Sequence, residues 1–285
     1  MSTVDLHLHT NRSDGQHPPA EVMRRAAAAG LRLVAVTDHD TTDGVHEAQQ
    51  AAARLGIRCL PGIEISTKHA REQHILGYLI DIGHPKLVRM CAYFMALRKE
   101  RCQHTLEYLA ARGIVLTEGQ IAEQATGGYI GRPQIAAAMV AAGHVPSIRD
   151  AFRYYLTGGD YRKVKRPKPT ARESIDAIRS AGGIAVLAHP HSLRLSGKAF
   201  DDAVATLAHM GLGGLECHYA DYGPELVAEY TRVAERYGLV VTGGSDYHGE
   251  RVKPEVCIGT GTDSLFRFGD LDVEGKLRAS SAAPA

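Results

Sequence analysis

The sequence predicts an α/β fold: seven short strands that alternate with helices and can curl into a small, irregular barrel, interrupted once by an all-helical insertion. Three observations carry this. Short β-rich runs alternate with longer helix-patterned segments in the first and last thirds of the chain. The stretch between them reads as helix with no strand. A chain of 285 residues with 44% hydrophobic content has enough material for a barrel-sized core plus an insertion.

Taken in order, the first strand is predicted in VDLHLH from residue 4, followed by a helix in PAEVMRRAAAAG. RLVAVTD supplies a second strand near residue 32, VHEAQQAAARLG a helix, IRCLPGIEIS a third strand near 58 and HILGYLID a fourth near 74. This alternation argues for parallel strands with helical crossovers. Residues 86 to 112 read as one long amphipathic helix with Leu87, Cys91, Phe94, Met95 and Leu97 as apolar positions, and RPQIAAAMVAAG and SIRDAFRYYLTGG extend the helical region. From about residue 170 the alternation resumes: ARESIDAIRSAGG, a strand in IAVLAHP, FDDAVATLAHMG, a strand in GGLECHY, PELVAEYTRVAERYG and a strand in LVVTGGSD. The expected organisation is a first barrel part over 1–84, a helical cap over 85–169 and a second barrel part over 170–267. The C-terminal tail, 268–285, ends in LRASSAAPA without a core-forming pattern and is expected to fray.

Composition narrows the function. A net charge of +1 offers no global field for long nucleic acid or an anionic membrane, so any anion binding must be local. The five cysteines are scattered and never in a C-x-x-C pair, which disfavours both a disulfide framework and a thiolate zinc site. The first residues lack the layout of a signal peptide, and the longest apolar stretch, around ILGYLIDI, is far short of a membrane span. A cytoplasmic protein is expected.

The chemistry-bearing residues fall at strand ends. His7 and His9 lie in the first strand, Asp14 in the loop after it, and His39 just past the second. Glu64 lies in the third, His74 opens the fourth, His189 ends the fifth, and Asp246 and His248 follow the seventh. In parallel β/α folds the strand C-termini form the functional face. Residues two apart in a strand point to one side, so His7 and His9 can grip one ion together. Six histidines and three carboxylates without thiolate form the ligand set of hydrolytic zinc, manganese or iron sites, and they are too many for one metal. With Glu64 bridging, they suit two or three divalent ions. Three such ions against three carboxylates and a bridging hydroxide leave a positive remainder, which favours a phosphate ester as substrate.

In order, DLHLHTNRSDG, TDHDT, GIEIS, AHP and GSDYHG resemble the PHP (polymerase and histidinol phosphatase) family of metal-dependent phosphoesterases over residues 1 to 82 and about 170 to 262. The resemblance implies a distorted seven-stranded β/α barrel with a trinuclear site, manganese being the expected metal. One ion would take His7, His9, Glu64 and Asp246; a second Glu64, His74 and His189; a third Asp14, His39 and His248. It implies attack on phosphorus by metal-bound hydroxide, with Asp14, His39, Glu64 and Asp246 carrying the catalytic centre.

The insertion resembles the small stand-alone branch that contains a nucleotide 3′,5′-bisphosphatase, a 5′-to-3′ exoribonuclease and a phosphoribosyl cyclic-phosphate hydrolase. There, a basic helix (here Arg98, Lys99 and Arg101) and an arginine opening a later helix (here Arg132) hold phosphate. Gln134 stands where nucleotide-acting members tend to carry His. That departure tips the expected substrate toward a phosphoribosyl 1,2-cyclic phosphate. A nucleoside 3′,5′-bisphosphate or a short RNA end is the alternative, and a non-catalytic metal-binding regulator a remoter one.

Three further features carry expectations of their own. His218, at the end of the sixth strand, is either a general acid or a packed rim residue. The HPH run could make His191 a second chelating partner of His189, but Pro190 disrupts alternation, which favours a surface or supporting histidine. The YRKVKRPKP run, with Arg162, Lys163, Lys165, Arg166 and Lys168, reads as a solvated linker, or alternatively as a lid over a phosphate.

Overall fold

The computed structural model describes residues 3–125, 130–164, 167–260 and 273–281. Lys165, Arg166 and the expected barrel boundary at 267 lie outside them. Seven strands run in sequence order around one sheet: β1 Val4–Leu8, β2 Leu33–Val36, β3 Arg58–Ser66, β4 His74–Tyr78, β5 Ile184–Leu187, β6 Gly214–Tyr219 and β7 Val240–Gly244. The sheet curls so that β7 comes back to β1. His9 N–H donates to Tyr247 O at 3.0 Å, and Asp246 N–H to His7 O at 2.9 Å. A buried Asp5 carboxylate reinforces the closure by accepting from the backbone N–H of Ser245 and of Gly259, both at 2.9 Å. Glycine is required at position 244, since a Cβ there would meet His7 Cβ at 2.2 Å.

The strands are not all parallel. β4 runs antiparallel to both β3 and β5, whereas the other neighbours pair in parallel. The reason is length: the 67–73 connection is too short for the helical crossover that a parallel pair needs. The reversal also has a functional result. His74 begins β4, and only a reversed strand places its start beside the C-terminal ends of the others.

Helices α1 Pro19–Ala28 and α2 Val45–Arg54 cover β1 and β2, with Val22, Met23, Ala48 and Ala52 packing on Leu8, Val34 and Val36. On the other side, α7 Ala171–Ser180, α8 Gly197–His209 and α9 Pro224–Arg236 pack Ile175, Ile178, Phe200, Val204 and Tyr230 against β4 to β6. Between β4 and β5 lie only helices and helical turns among the described residues. These are α3 Pro85–Ala110, α4 Glu118–Ala122, α5 Arg132–Ala141, α6 Ile148–Ala151, a π-turn over Phe152–Leu156 and a 3-10 turn over Gly159–Lys163. They enclose their own apolar cluster, with Leu109, Ile121, Ile135, Met139 and Leu156 at its centre. No helix among the described residues is long and apolar enough to cross a membrane.

The tail corrects the sequence expectation. Residues Val273–Ser281 form helix α10, and its Val273 and Leu277 are fully buried against Val4, Leu6, Leu33 and Val186. Two apolar residues four apart suffice to dock a helix turn on an open barrel end. The small residues around them hid this pattern in the sequence.

Candidate metal centre

All nine expected ligands converge at one end of the barrel. His7 and His9 come from β1, Glu64 from β3 and His74 from β4, while Asp14, His39, His189, Asp246 and His248 come from the loops after β1, β2, β5 and β7. Three site residues hold backbone angles that side chains rarely adopt: Asp40 (φ 58°), His189 (φ 25°) and Asp246 (φ 56°). Such strain persists where the surroundings over-determine it, and functional sites are where it concentrates.

The innermost group consists of His7, His9, Glu64 and Asp246. Each imidazole Nε2 lies 3.4 Å (His7) or 3.2 Å (His9) from both Glu64 Oε2 and Asp246 Oδ1. Ligands at about 2.1 Å from a common ion in tetrahedral array stand about 3.4 Å apart, so these atoms already have the spacing of a coordination shell. His7 Nε2, His9 Nε2, Asp14 Oδ1, His39 Nδ1 and Glu64 Oε2 are buried and make no hydrogen bond. Buried polar atoms are rarely left so without a role, and bound cations would satisfy all of these at once.

The remaining ligands group on either side. Asp14, His39 and His248 stand together, with His9 joining them: His248 Nε2 is 3.3 Å and His39 Nε2 3.8 Å from the Asp14 carboxylate. Glu64 Oε1 is 2.8 Å from His74 Nδ1 and 2.9 Å from His189 Nε2. Its other oxygen faces His39 Nδ1 at 2.9 Å as well as the inner pair. One buried carboxylate thus touches every group, which is the geometry of a bridge. These clusters can hold more than one ion.

Charge and tautomer are arranged for cations. Burial pushes the Glu64 carboxyl up, but the imidazoles of His39, His74 and His7 hold it well below the usual carboxylate range. Asp246 is likewise held low against its burial, first by Lys253, and Asp14 by His39 and His248. Burial depresses His9, yet Asp246 and Glu64 raise it to about 9; for His74 and His248 burial wins, and both fall to about 4. His7 Nδ1–H donates to Glu216 Oε1 at 2.9 Å, and His248 Nδ1–H to Asp246 O at 2.8 Å, leaving Nε2 of each ring turned to the site. Such outer partners set which nitrogen binds a metal.

Two cavities open from this centre and a third adjoins it. The first, about 260 Å³, is lined by seven of the nine expected ligands, all but His7 and His9, together with Glu72, His191, Ser192, Tyr219 and Lys253. The second, about 120 Å³, shares Asp14, His39, Glu72 and His74 with it and gathers Arg98, Arg101, Arg132 and Lys168. The third, about 310 Å³, shares Asp14, His248 and Lys253 with the first; Ile148, Phe152, Ala137, Pro133 and Val252 wall it, with Gln16, Gln124 and Gln134 among its polar groups.

The expected phosphate contacts divide. Arg101 and Arg132 line the basic cavity, and Arg132 opens α5 with its guanidinium 5.6 Å from the Phe152 ring centre. Arg98 lines it too, but its guanidinium is ion-paired with Asp40 and reaches Ser66 Oγ at 3.3 Å, so it also ties α3 to the β2 loop. Lys99 is exposed and lines none of these cavities, because the neighbouring position on a helix faces about 100° away. Gln134 is buried, caps α5 by accepting from Gly131 N–H at 3.0 Å, and faces the third cavity instead of the basic one. Among the described residues of the basic run, Lys168 is the one that lines this cavity.

His218 does not line the cavities; Tyr219 does. A bulge between Glu216 and His218 breaks the strand's alternation, so that Glu216 and Tyr219, three apart, both turn inward. Tyr219 O–H donates to Asp246 Oδ2 at 2.6 Å. Glu216, Asp40, Tyr219 and Lys253 are the site residues the sequence reading missed. A lone carboxylate in the apolar strand LECHY was the available signal for Glu216; the other three had none.

The family model for the PHP domain matches residues 5–181. The chain belongs to the PHP family. It is 34% identical to a 3′,5′-nucleoside bisphosphate phosphatase of Chromobacterium violaceum, over 87% of this chain and 88% of that one. It is 32% identical to a phosphoribosyl 1,2-cyclic phosphate 1,2-diphosphodiesterase of Eggerthella lenta, over 86% and 94%. A solved structure from Bifidobacterium adolescentis, described as a metal-dependent phosphoesterase, superposes with a TM-score of 0.84 at 32% identity, covering 99% of this chain and 97% of that one. A PHP phosphoesterase accounts for the seven-strand, nearly closed barrel and the buried histidine and carboxylate clusters alike.

Proposed function

We propose that this phosphoesterase hydrolyses a phosphate ester on a ribose that carries a second phosphate and a base, the class of a nucleoside 3′,5′-bisphosphate. The observation that carries the reading is the junction of three cavities at Asp14: a metal cradle, a pocket of arginines and lysine, and a partly apolar pocket with amide side chains. They correspond to the reacting phosphate, the spectator phosphate and the base. The cyclic phosphoribose has two phosphates and no base, so it leaves the largest of these three pockets empty. The neutral side chain of Gln134 removes no phosphate contact, since it faces the third cavity.

Divalent ions held by His7, His9, Asp14, His39, Glu64, His74, His189, Asp246 and His248 would supply Lewis acidity toward the phosphoryl oxygens and acidify water for attack. Manganese is the metal proposed. The chain's own residues do the rest. Arg101, Arg132 and Lys168 hold the spectator phosphate and so fix the distance to the reacting one. Glu216 keeps His7 oriented, and Lys253 neutralises the outer oxygen of Asp246 while its inner oxygen faces the cradle.

The cyclic phosphoribose remains the second reading, favoured by the 32% identity to the diphosphodiesterase over nearly all of that protein. A side-by-side rate comparison on 3′-phosphoadenosine 5′-phosphate, phosphoribosyl 1,2-cyclic phosphate and a short RNA decides. Tenfold or greater preference for the adenosine bisphosphate is expected; the reverse preference for the cyclic phosphate would overturn the base-bearing assignment.

A further inference from the structure

His191 stands at the mouth of the metal cavity and is not needed as a ligand. Its position follows from the backbone. His189 takes a left-handed angle, and Pro190–Leu193 form a 3-10 turn, so the chain folds back and brings His191 beside the site instead of continuing the strand. The ring packs against Tyr219 and Tyr222, each with centroids 5.4 Å away, and lies 6.2 Å from the ring of His189. It is exposed, so one edge is open to whatever enters the cavity.

The hydrogen bonds on its other edge decide where its proton sits. The backbone N–H of His191 donates to the Tyr222 hydroxyl oxygen at 3.3 Å. Tyr222 is buried, with 3% exposure, so its O–H must find an acceptor. Among the described residues, the acceptor within reach is His191 Nδ1, at 2.8 Å. A phenol that donates to Nδ1 leaves the imidazole hydrogen on Nε2.

We infer that Tyr222 sets His191 with its proton on Nε2, and that this N–H donates a hydrogen bond to a phosphoryl oxygen of the substrate in the metal cavity. No proton is transferred; the N–H supplies a fixed dipole toward the anionic oxygen, on the side of the cavity shared with His189 and Tyr219. Its role rests on the phosphoesterase reading, whereas the tautomer does not.

The experiment has two arms. Nitrogen-15 NMR of metal-free and zinc-loaded protein, with the His191 signals assigned by their loss in His191→Asn, is expected to show an unprotonated Nδ1 and a protonated Nε2. Tyr222→Phe is expected to give a mixture of tautomers. A proton on Nδ1 in the unaltered protein, or an unchanged ring in Tyr222→Phe, would overturn the tautomer assignment. In the second arm inorganic phosphate is the probe. His191→Asn, which keeps an amide near the Nδ1 position and deletes Nε2, is expected to weaken phosphate inhibition and lower kcat/KM by roughly ten- to a hundredfold. His191→Gln, whose amide nitrogen reaches the Nε2 position, recovers part of that loss. Equal behaviour of His191→Asn and the unaltered enzyme would overturn the donor role. Unaltered, metal-loaded protein that neither binds phosphate nor cleaves a phosphate ester would defeat the phosphoesterase reading instead, with the NMR arm still readable.

Discussion

Glu216 Oε1 accepts the Nδ1–H of His7 at 2.9 Å, while its second oxygen accepts the backbone N–H of His189 at 2.6 Å. One fully buried carboxylate therefore orients a histidine of β1 and pins the strained turn that carries another. Glu216→Gln keeps the shape and weakens both bonds. It is expected to lower metal affinity by about ten- to a hundredfold, read by titration against a competing chelator, with the fold intact. Unchanged affinity would remove Glu216 from the site.

Two of the three arginines that line the basic cavity, Arg98 and Arg132, are expected to behave differently. Arg98→Ala removes the guanidinium that is ion-paired with the buried Asp40 carboxylate and should cost about 3–5 kcal/mol of stability, measured by denaturant unfolding. Arg132→Ala should leave stability near that of the parent and raise KM while kcat changes little, since a spectator phosphate is held equally in ground and transition states. Similar stability losses in both would show that Arg98 is not the strut described.

Tyr219 and His218 offer a direct contrast between the structure and the sequence reading. Tyr219→Phe removes the hydroxyl that donates to Asp246 and should reduce turnover several-fold. His218→Ala should leave turnover within about twofold, because Tyr219 and not His218 lines the cavity. A large loss in His218→Ala, with the fold unchanged by circular dichroism, would restore the general-acid assignment.

Gly244→Ala tests the barrel closure. The added methyl would overlap His7, so the variant is expected to lose about 1–3 kcal/mol of stability and to bind metal poorly, because β1 must shift to make room. A variant as stable and as well metallated as the parent would mean that β1 and β7 do not meet as described.

Much of this was legible in the chain itself. The convergence of the nine proposed ligands could be read because ordered histidine and carboxylate motifs at strand ends leave few other uses for such residues. The reversed β4 was less visible, since periodicity reports the strand and only the short 67–73 link reports its direction. Tyr219 was hidden by a bulge, because alternation counted from Glu216 favours His218. Helix α10 was hidden by its small residues. Asp40 and Lys253 were illegible for a different reason: their meaning comes from Arg98 on a distant helix and from Asp246 across a loop, and sequence spacing does not encode such pairings.

The most direct test of the central claim is to strip the protein with chelator, reconstitute it with manganese, and measure bound metal and phosphoester cleavage on the same samples. Two to three ions per chain are expected, with cleavage rising as the sites fill and a melting temperature roughly 5–10 °C above that of the stripped protein. Less than one ion per chain, together with no cleavage of any of the three substrates or of a generic phosphodiester, would contradict the account.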